Sequence, residues 1–437
     1  MRLQFFGAAS IAIHTKENTK ILCDPWFETP AFLGSWIPFP KVEFDYKQKY
    51  DFIYISHIHS DHFDVETLRK INLDTSILIY KFENDFLVNK IRGLGFTKII
   101  QLRHGEEFFV DKNTRVKIYG PVENDSDAKQ QVIDTSIVVY DNEHTILNFN
   151  DNLYELKDKT LQLIKKEHPC IDLLCHGYTS ASSYPQCTIS LNNNEMASER
   201  KKVKEICYQR SIKLIEFLNP KNTMPFAGYY VLCGKKSHLN NLKANDSPLE
   251  ASKFYEQNYP HVFKNRQCIV LNVEESYDLN TNTYSKIYEP PTENELSAFI
   301  EKNKNVKYPY ERMVEALPPL GVFSELIQKS YDRMEIHRKK MKFHSDTKLF
   351  INLPENKKLL LTMNGKGFTI LNDDDFTYDN VDNFVLMSLD FRLLYMLLRG
   401  PRYAHWDNAD HGSHIEYYKK PNIYEKGIYH LICYFHS

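Results

Sequence analysis

The sequence has no Cys-x-x-Cys pair, no apolar run long enough to cross a bilayer and almost no charge imbalance, and each absence excludes a class of protein. Its eight cysteines, Cys23, Cys170, Cys175, Cys187, Cys207, Cys233, Cys268 and Cys433, are scattered along 437 residues without the spacing of a disulfide framework. They read as reduced thiols. A spanning helix takes about 20 predominantly apolar residues, so no membrane span is expected. Residues Met1 to Gly7 pass straight into a strand pattern, without the charged, apolar and small-residue segments of a secretion signal. A cytoplasmic location follows as the expectation. With 55 Lys+Arg against 57 Asp+Glu, the chain has no bulk field to hold nucleic acid or an acidic surface. The expected partner is a small molecule, recognised at a local site. A Gly-x-Ser-x-Gly nucleophile turn is missing too, and Asn364 to Phe368 reads as a hairpin turn because the phosphate-loop spacing is absent.

Hydrophobic residues make up 42% of the chain, enough for a sizeable core, and the length favours two domains over one. Strand patterns open the sequence at Leu3 to Phe6, Ser10 to His14 and Thr19 to Asp24. Asp51 to Ser56 follows, an apolar run suited to a strand covered on both faces. Helical periods then alternate with strands as far as Asn222 to Phe226, including a long charged helix near Met196 to Leu218 stopped by Asn219-Pro220. Interspersed strands and helices predict an α/β layered fold. Pro290-Pro291 blocks helix and central strand alike, marking a boundary between a catalytic domain of residues 1–288 and a smaller α+β domain of residues 293–437.

The strand at Asp51 to Ser56 runs into His57-Ile58-His59-Ser60-Asp61-His62. Alternation puts His57 and His59 on one side of an extended segment, while Asp61 and His62 turn toward a second position as the next helix begins. Imidazole and carboxylate are the ligands that borderline divalent metals prefer. Desolvating so many of them in one loop is costly without an ion to pair them. A metal site is the expected reading.

This run resembles the HxHxDH signature of the metallo-β-lactamase superfamily, and Asp24-Pro25-Trp26 resembles the turn that precedes it there. The resemblance implies an αββα sandwich with His57 and His59 at one metal position and Asp61 and His62 at a second. It also implies a bridging carboxylate, best matched by Asp151 in Leu147-Asn148-Phe149-Asn150-Asp151, so that Asp61 and Asp151 count as catalytic residues as well as ligands. The implied cofactor is one or two Zn or Fe ions, with Mn as a further option, and a metal-bound hydroxide as nucleophile. Two positions depart from the pattern. Gly120-Pro121-Val122-Glu123-Asn124-Asp125 has no histidine where the superfamily usually has one, so Glu123 or Asp125 substitutes or the position is open. Met224-Pro225-Phe226-Ala227-Gly228 lacks the last histidine, which leaves His176 and His238 as candidate replacements.

A narrower resemblance rests on Pro225 to Tyr230, Asn150-Asp151, and His405-Trp406-Asp407-Asn408-Ala409 with Gly412-Ser413-His414. These are similar to the CMP-N-acetylneuraminate hydroxylase-like branch. Members that hydroxylate sialic acid carry a Rieske module held by Cys-x-His and Cys-x-x-His pairs, and neither pair is expected in this chain. The first reading is a metal-dependent hydrolase acting on a nucleotide-sugar, sugar or acyl or phosphoester conjugate. The alternatives are a non-haem iron oxygenase fed by an external electron-transfer partner, and a binding or scaffold protein with a degenerate metal site. His405, Trp406, Asp407, His411 and His414 are the expected substrate-facing wall from the C-terminal domain.

Overall fold

The computed structural model describes residues 1–121, 133–152, 158–373 and 381–437. Two sheets face each other. The first runs, in spatial order, Thr283–Tyr284, Ser276–Asp278, Arg2–Gly7, Ser10–His14, Lys20–Cys23, Phe52–Ile55, Ser76–Tyr80 and Ile99–Leu102. The second runs Gln267–Cys268, Asn222–Pro225, Leu173–His176, Thr145–Asn148, Ser136–Tyr140, Arg115–Tyr119 and Glu107–Phe109. Between them lie Leu3, Ile11, Ile13, Leu78, Ile118, Ile137, Val139 and Leu173, all with no solvent exposure.

Each sheet also buries its outer face, which is why its strands read as apolar runs rather than alternating ones. Leu22, Ile53, Ile55 and Ile79 of the first sheet pack on Leu68 and Leu87, from helices Val65–Lys70 and Phe86–Gly93. Val138, Leu147 and Leu174 of the second pack on Leu161, Ile212 and Ala251, from helices Asp158–Glu167, Asn193–Leu218 and Pro248–Asn258. The result is the expected αββα sandwich. Helix Asn193–Leu218 begins at a capping box between Asn192 and Glu195 and ends at Asn219, whose φ of 53° lets its N–H cap Ile215 before Pro220.

After the Pro290-Pro291 pair, Thr292 and Glu295 form a second capping box that starts helix Glu293–Asn303. The rest of the chain builds a five-stranded sheet in the order Phe368–Asn372, Lys357–Thr362, Lys348–Leu353, Phe384–Ser388 and Glu416–Lys420. The Asn364 to Phe368 turn joins two of these strands, with Thr362 N–H donating to Gly367 O at 3.2 Å. Helix Leu320–Met341 covers this sheet through Phe323, Ile327 and Met334. One apolar cluster joins these residues to Trp26, Phe32, Trp36 and Tyr230, so the core is continuous across residue 290. All eight cysteines are free thiols. No helix among the described residues is long and apolar enough to cross a membrane.

The contact between the two parts is close at Gly412. A Cβ there would meet Phe32 O at 2.4 Å and His414 Cδ2 at 2.5 Å. Gly412→Ala is therefore expected to push the two parts open and to cost about 1–3 kcal/mol, as overpacking does, measured by urea denaturation. Burial also holds His14, His168, His176 and His414 neutral, with pKa values lowered to about 4. Between pH 6.5 and 4 the unfolded chain binds more protons at these groups than the folded one, so their stabilisation is complete above pH 6.5 and is lost as the pH falls. The denaturation midpoint should drop steadily from pH 6.5 toward pH 4; a flat profile would contradict the burial of these rings.

Candidate metal centre

The site forms where the two sheets share an end. Parallel pairing of Lys20–Cys23 with Phe52–Ile55 brings Asp24 beside Ser56 and His57. On the other sheet Ile137 pairs with Asn148, so Asp134, just before one strand, and Asp151, just after its neighbour, leave the sheet at the same end.

Asp24 organises this end. It has no solvent exposure and a φ of 45°. Its carboxylate accepts from Ser56 N–H at 2.8 Å, Ser56 Oγ at 2.7 Å and Asn150 Nδ2 at 2.5 Å, and lies 3.1 Å from His62 Nδ1. Asp64 fixes the turn that follows Asp24, accepting from Glu28 N–H at 2.9 Å, Thr29 N–H at 3.1 Å and Thr67 Oγ1 at 2.6 Å.

Each histidine of the cluster has one ring nitrogen held from behind and the other turned inward. His57 Nδ1 is 2.9 Å from Ser56 Oγ, and its Nε2 lies 2.9 Å from His59 Nδ1 and 3.2 Å from Asp134 Oδ1. His59 Nε2 is 3.3 Å from Asp407 Oδ2. His62 Nδ1 rests on Asp24, while its Nε2 is 3.2 Å from Asp151 Oδ2 and 3.5 Å from Asp61 Oδ2. Two groups of donor atoms therefore converge within 4.8 Å, His57 with His59 and Asp134, and His57 with His62 and Asp151. This backing is what metal-ligating histidines ordinarily have, because it fixes tautomer and ring orientation.

The donor set fits a divalent cation. Asp61 Oδ1 is buried without a hydrogen-bond partner, a costly state for a carboxylate oxygen unless something positive meets it. The electrostatics agree. Burial disfavours charge on His62, but Asp151, Asp61 and Asp24 outweigh it and push its pKa well up. Burial likewise opposes charge on His59, yet Asp407, with Asp134 and Asp61, raises it to about 9. His57 goes the other way: burial, then the neighbouring His62 and His59, drive it well below the usual imidazole value. Burial opposes the charge on Asp151, but His62 beside it holds its carboxyl below the ordinary range.

Other residues expected at the site lie elsewhere or serve differently. His176 shares the outward face of its strand with Leu174 and packs 6.1 Å from the Tyr255 ring, among the helices rather than in the cleft. His238 is exposed on the 3-10 helix Gly234–Leu242, its Nδ1 2.8 Å from Lys235 O. Glu123 and Asp125 lie outside the described residues. Trp406 is only 2% exposed and donates to Phe435 O at 2.9 Å, so it presents no face to a ligand. His405 caps helix Trp406–His411, and buried His414 bridges Tyr310 OH and Phe32 O at 3.2 and 3.0 Å. His411, partly exposed, stacks on Phe32 with ring centroids 5.3 Å apart and sits 5.5 Å from His59. One Cys-x-x-His spacing does occur, at Cys433 to His436, but Cys433 Sγ donates to Tyr429 O and His436 Nδ1 faces Ser437 O.

Sequence reasoning did not single out Asp134, and it read Asp24 only as part of a turn. The signal for Asp134 was faint: a lone carboxylate two residues ahead of an apolar strand.

Residues 2–166 match the family model of the beta-lactamase superfamily domain. This stretch resembles the superfamily's domain, and the sandwich it belongs to has the metallo-β-lactamase fold. The chain resembles the CMP-N-acetylneuraminate hydroxylase branch, being 29% identical over 227 residues to the Mus musculus cytidine monophosphate-N-acetylneuraminic acid hydroxylase, across 49% of this chain and 37% of the hydroxylase. It is also 31% identical over 198 residues to a Mycobacterium tuberculosis protein named a Rieske 2Fe-2S iron-sulfur protein, across 42% of this chain and 36% of that protein. The chain thus spans little more than a third of the length of these curated relatives. Among solved structures, CmlA, a diiron β-hydroxylase from Streptomyces venezuelae, is similar with a TM-score of 0.40 and 17% identity, over 62% of this chain and 53% of that one.

Asp24→Ala would leave Ser56, Asn150 and His62 without their shared acceptor. Removing one partner from such a buried network costs about 3–5 kcal/mol, so a thermal melt should show a loss of that order, together with reduced metal retention. Asp24→Asn, which keeps an acceptor oxygen, should lose less.

Proposed function

We propose that the chain is a metal-dependent oxygenase that hydroxylates a polar, sugar-like small molecule such as a nucleotide-sugar. The observation that carries this reading is that His57, His59 and Asp134 converge as a group of two imidazoles and one carboxylate. That set leaves coordination positions open and is the one used by non-haem iron oxygenases. Similarity to the sialic acid hydroxylases over about half of the chain supports the same reading. His57, His59 and Asp134 would hold one ion, and His62, Asp61 and Asp151 are the residues that would hold a second. Iron bound there would supply dioxygen activation, the net reaction placing one oxygen atom in a C–H bond and releasing the other as water, with two electrons from an external electron-transfer partner and two protons.

The residues themselves hold and shield. Ser56, Asp24 and Asp407 keep the ring nitrogens of His57, His62 and His59 turned inward. Phe32, Trp36 and His411 form an aromatic wall beside His59, with Phe32 and Trp36 centroids 4.4 Å apart, and exclude water from that side. Asp61 Oδ1 stays buried without a hydrogen-bond partner. The C-terminal part of the chain completes the pocket in this reading.

Hydrolysis of an acyl or phosphoester conjugate is the second reading, favoured by that same Asp61 oxygen, which could take a proton from an attacking water. Protein purified without chelators separates the two. Iron near two equivalents, with oxygen consumption on adding reductant and a nucleotide-sugar, is expected. Zinc with esterase or phosphodiesterase turnover and no oxygen uptake would establish the hydrolase instead.

A further inference from the structure

The C-terminal part of the chain reaches the metal centre through one charged side chain. Helix Trp406–His411 starts under the cap of His405 and carries Asp407 on its first turn. Asp407 Oδ2 lies 3.3 Å from His59 Nε2, while the opposite ring nitrogen, Nδ1, is 2.9 Å from His57 Nε2 inside the donor group. We infer that Asp407 is the positioning residue of His59, fixing across some 350 residues of sequence which nitrogen of that ring is presented to the metal. The inference rests on the metal reading above and adds that the site is incomplete without residues beyond 400.

Several contacts fix the carboxylate where it is. His411 Nδ1 is 2.8 Å from Asp407 O and 3.4 Å from its Oδ1, which ties the helix turn back on itself. The His411 ring stacks on Phe32 at 5.3 Å and 18°. Trp36 Nε1 donates to His411 O at 2.9 Å. Phe32 and Leu33 adopt φ values of 47° and 58°, a conformation that costs non-glycine residues energy and persists only where surroundings impose it. Those surroundings come from both sides: Phe32 N–H donates to Ser60 Oγ at 2.8 Å, inside the histidine loop, and Phe32 O meets His414 Nε2 at 3.0 Å. The segment therefore holds the histidine loop and the C-terminal helix in a fixed relation, and Asp407 crosses between them. Ser56 and Asp24 play the same part for His57 and His62 from within the sandwich. Only for His59 does the backing group come from the other half of the chain.

The test is Zn²⁺ binding by the full-length chain, stripped of metal and titrated against a chromophoric chelator, with circular dichroism and thermal melts as controls for folding. Asp407→Asn and Asp407→Ala should weaken Zn²⁺ binding about 10- to 100-fold, the usual effect of removing the group behind a ligating histidine, with Asp407→Glu recovering part of the loss. In a His59→Ala background, adding Asp407→Ala should change Zn²⁺ affinity by less than twofold, because the carboxylate acts through that ring. Affinities within twofold of wild type for both single variants, or a double variant that loses the full product of the two effects, would overturn the assignment while leaving the metal centre intact. A wild-type chain that binds no Zn²⁺ would overturn the metal reading and this inference with it.

Discussion

A single buried carboxylate, that of Asp24, sits where the two sheets of the sandwich meet, and the arrangement of the centre depends on it. It receives the backbone and hydroxyl of Ser56, the amide of Asn150 and the ring of His62. These groups follow the ends of two strands, one in each sheet, so one anion sets their spacing. In a low-dielectric interior such a charge is tolerated only when its lone pairs are filled. The residues that fill them are neighbours or members of the histidine cluster. The requirement that stabilises Asp24 therefore also orients the cluster.

The same logic extends outward. Three imidazoles are each held by an oxygen on one side, Ser56 Oγ, Asp407 Oδ2 and Asp24 Oδ2, and each turns its other nitrogen toward carboxylates that would repel one another without a cation. The proton distribution reflects that demand: His59 and His62 are pushed toward the charged form by the carboxylates, and His57, fully enclosed and flanked by two rings, is pushed toward the neutral one. A divalent ion can replace those protons without changing the net charge enclosed, which is why metal binding and proton release are coupled at sites of this kind.

The continuity of the apolar core gives the C-terminal part of the chain its role. Trp26, Phe32, Trp36 and Tyr230 of the sandwich pack into one cluster with Phe323, Leu393, Trp406 and Phe435. Burial on that scale opposes relative motion, and it delivers Asp407 and His411 to His59 at a fixed distance. Trp406, which as a sequence feature suited stacking on a substrate, belongs to that core instead.

Local sequence determined much of this. The apolar run ending at Ser56 identified a doubly covered strand, the capping residues Asn192 and Thr292 set helix starts, and the spacing of His57, His59, Asp61 and His62 within six residues marked the cluster, because neighbouring residues on one loop must share a site. What only the tertiary structure decided were contacts between residues distant in sequence. Asp134 reaches His57 because two antiparallel strands bring its end of the sheet to Asp151. His176 faces away because strand alternation puts it with Leu174 among the helices. Asp407 meets His59 because a shared core packs the two halves together. Periodicity and spacing specify which face a residue takes and what lies beside it in the chain. Which distant carboxylate completes each imidazole is set by sheet pairing and core packing, and neither leaves a local mark in the sequence.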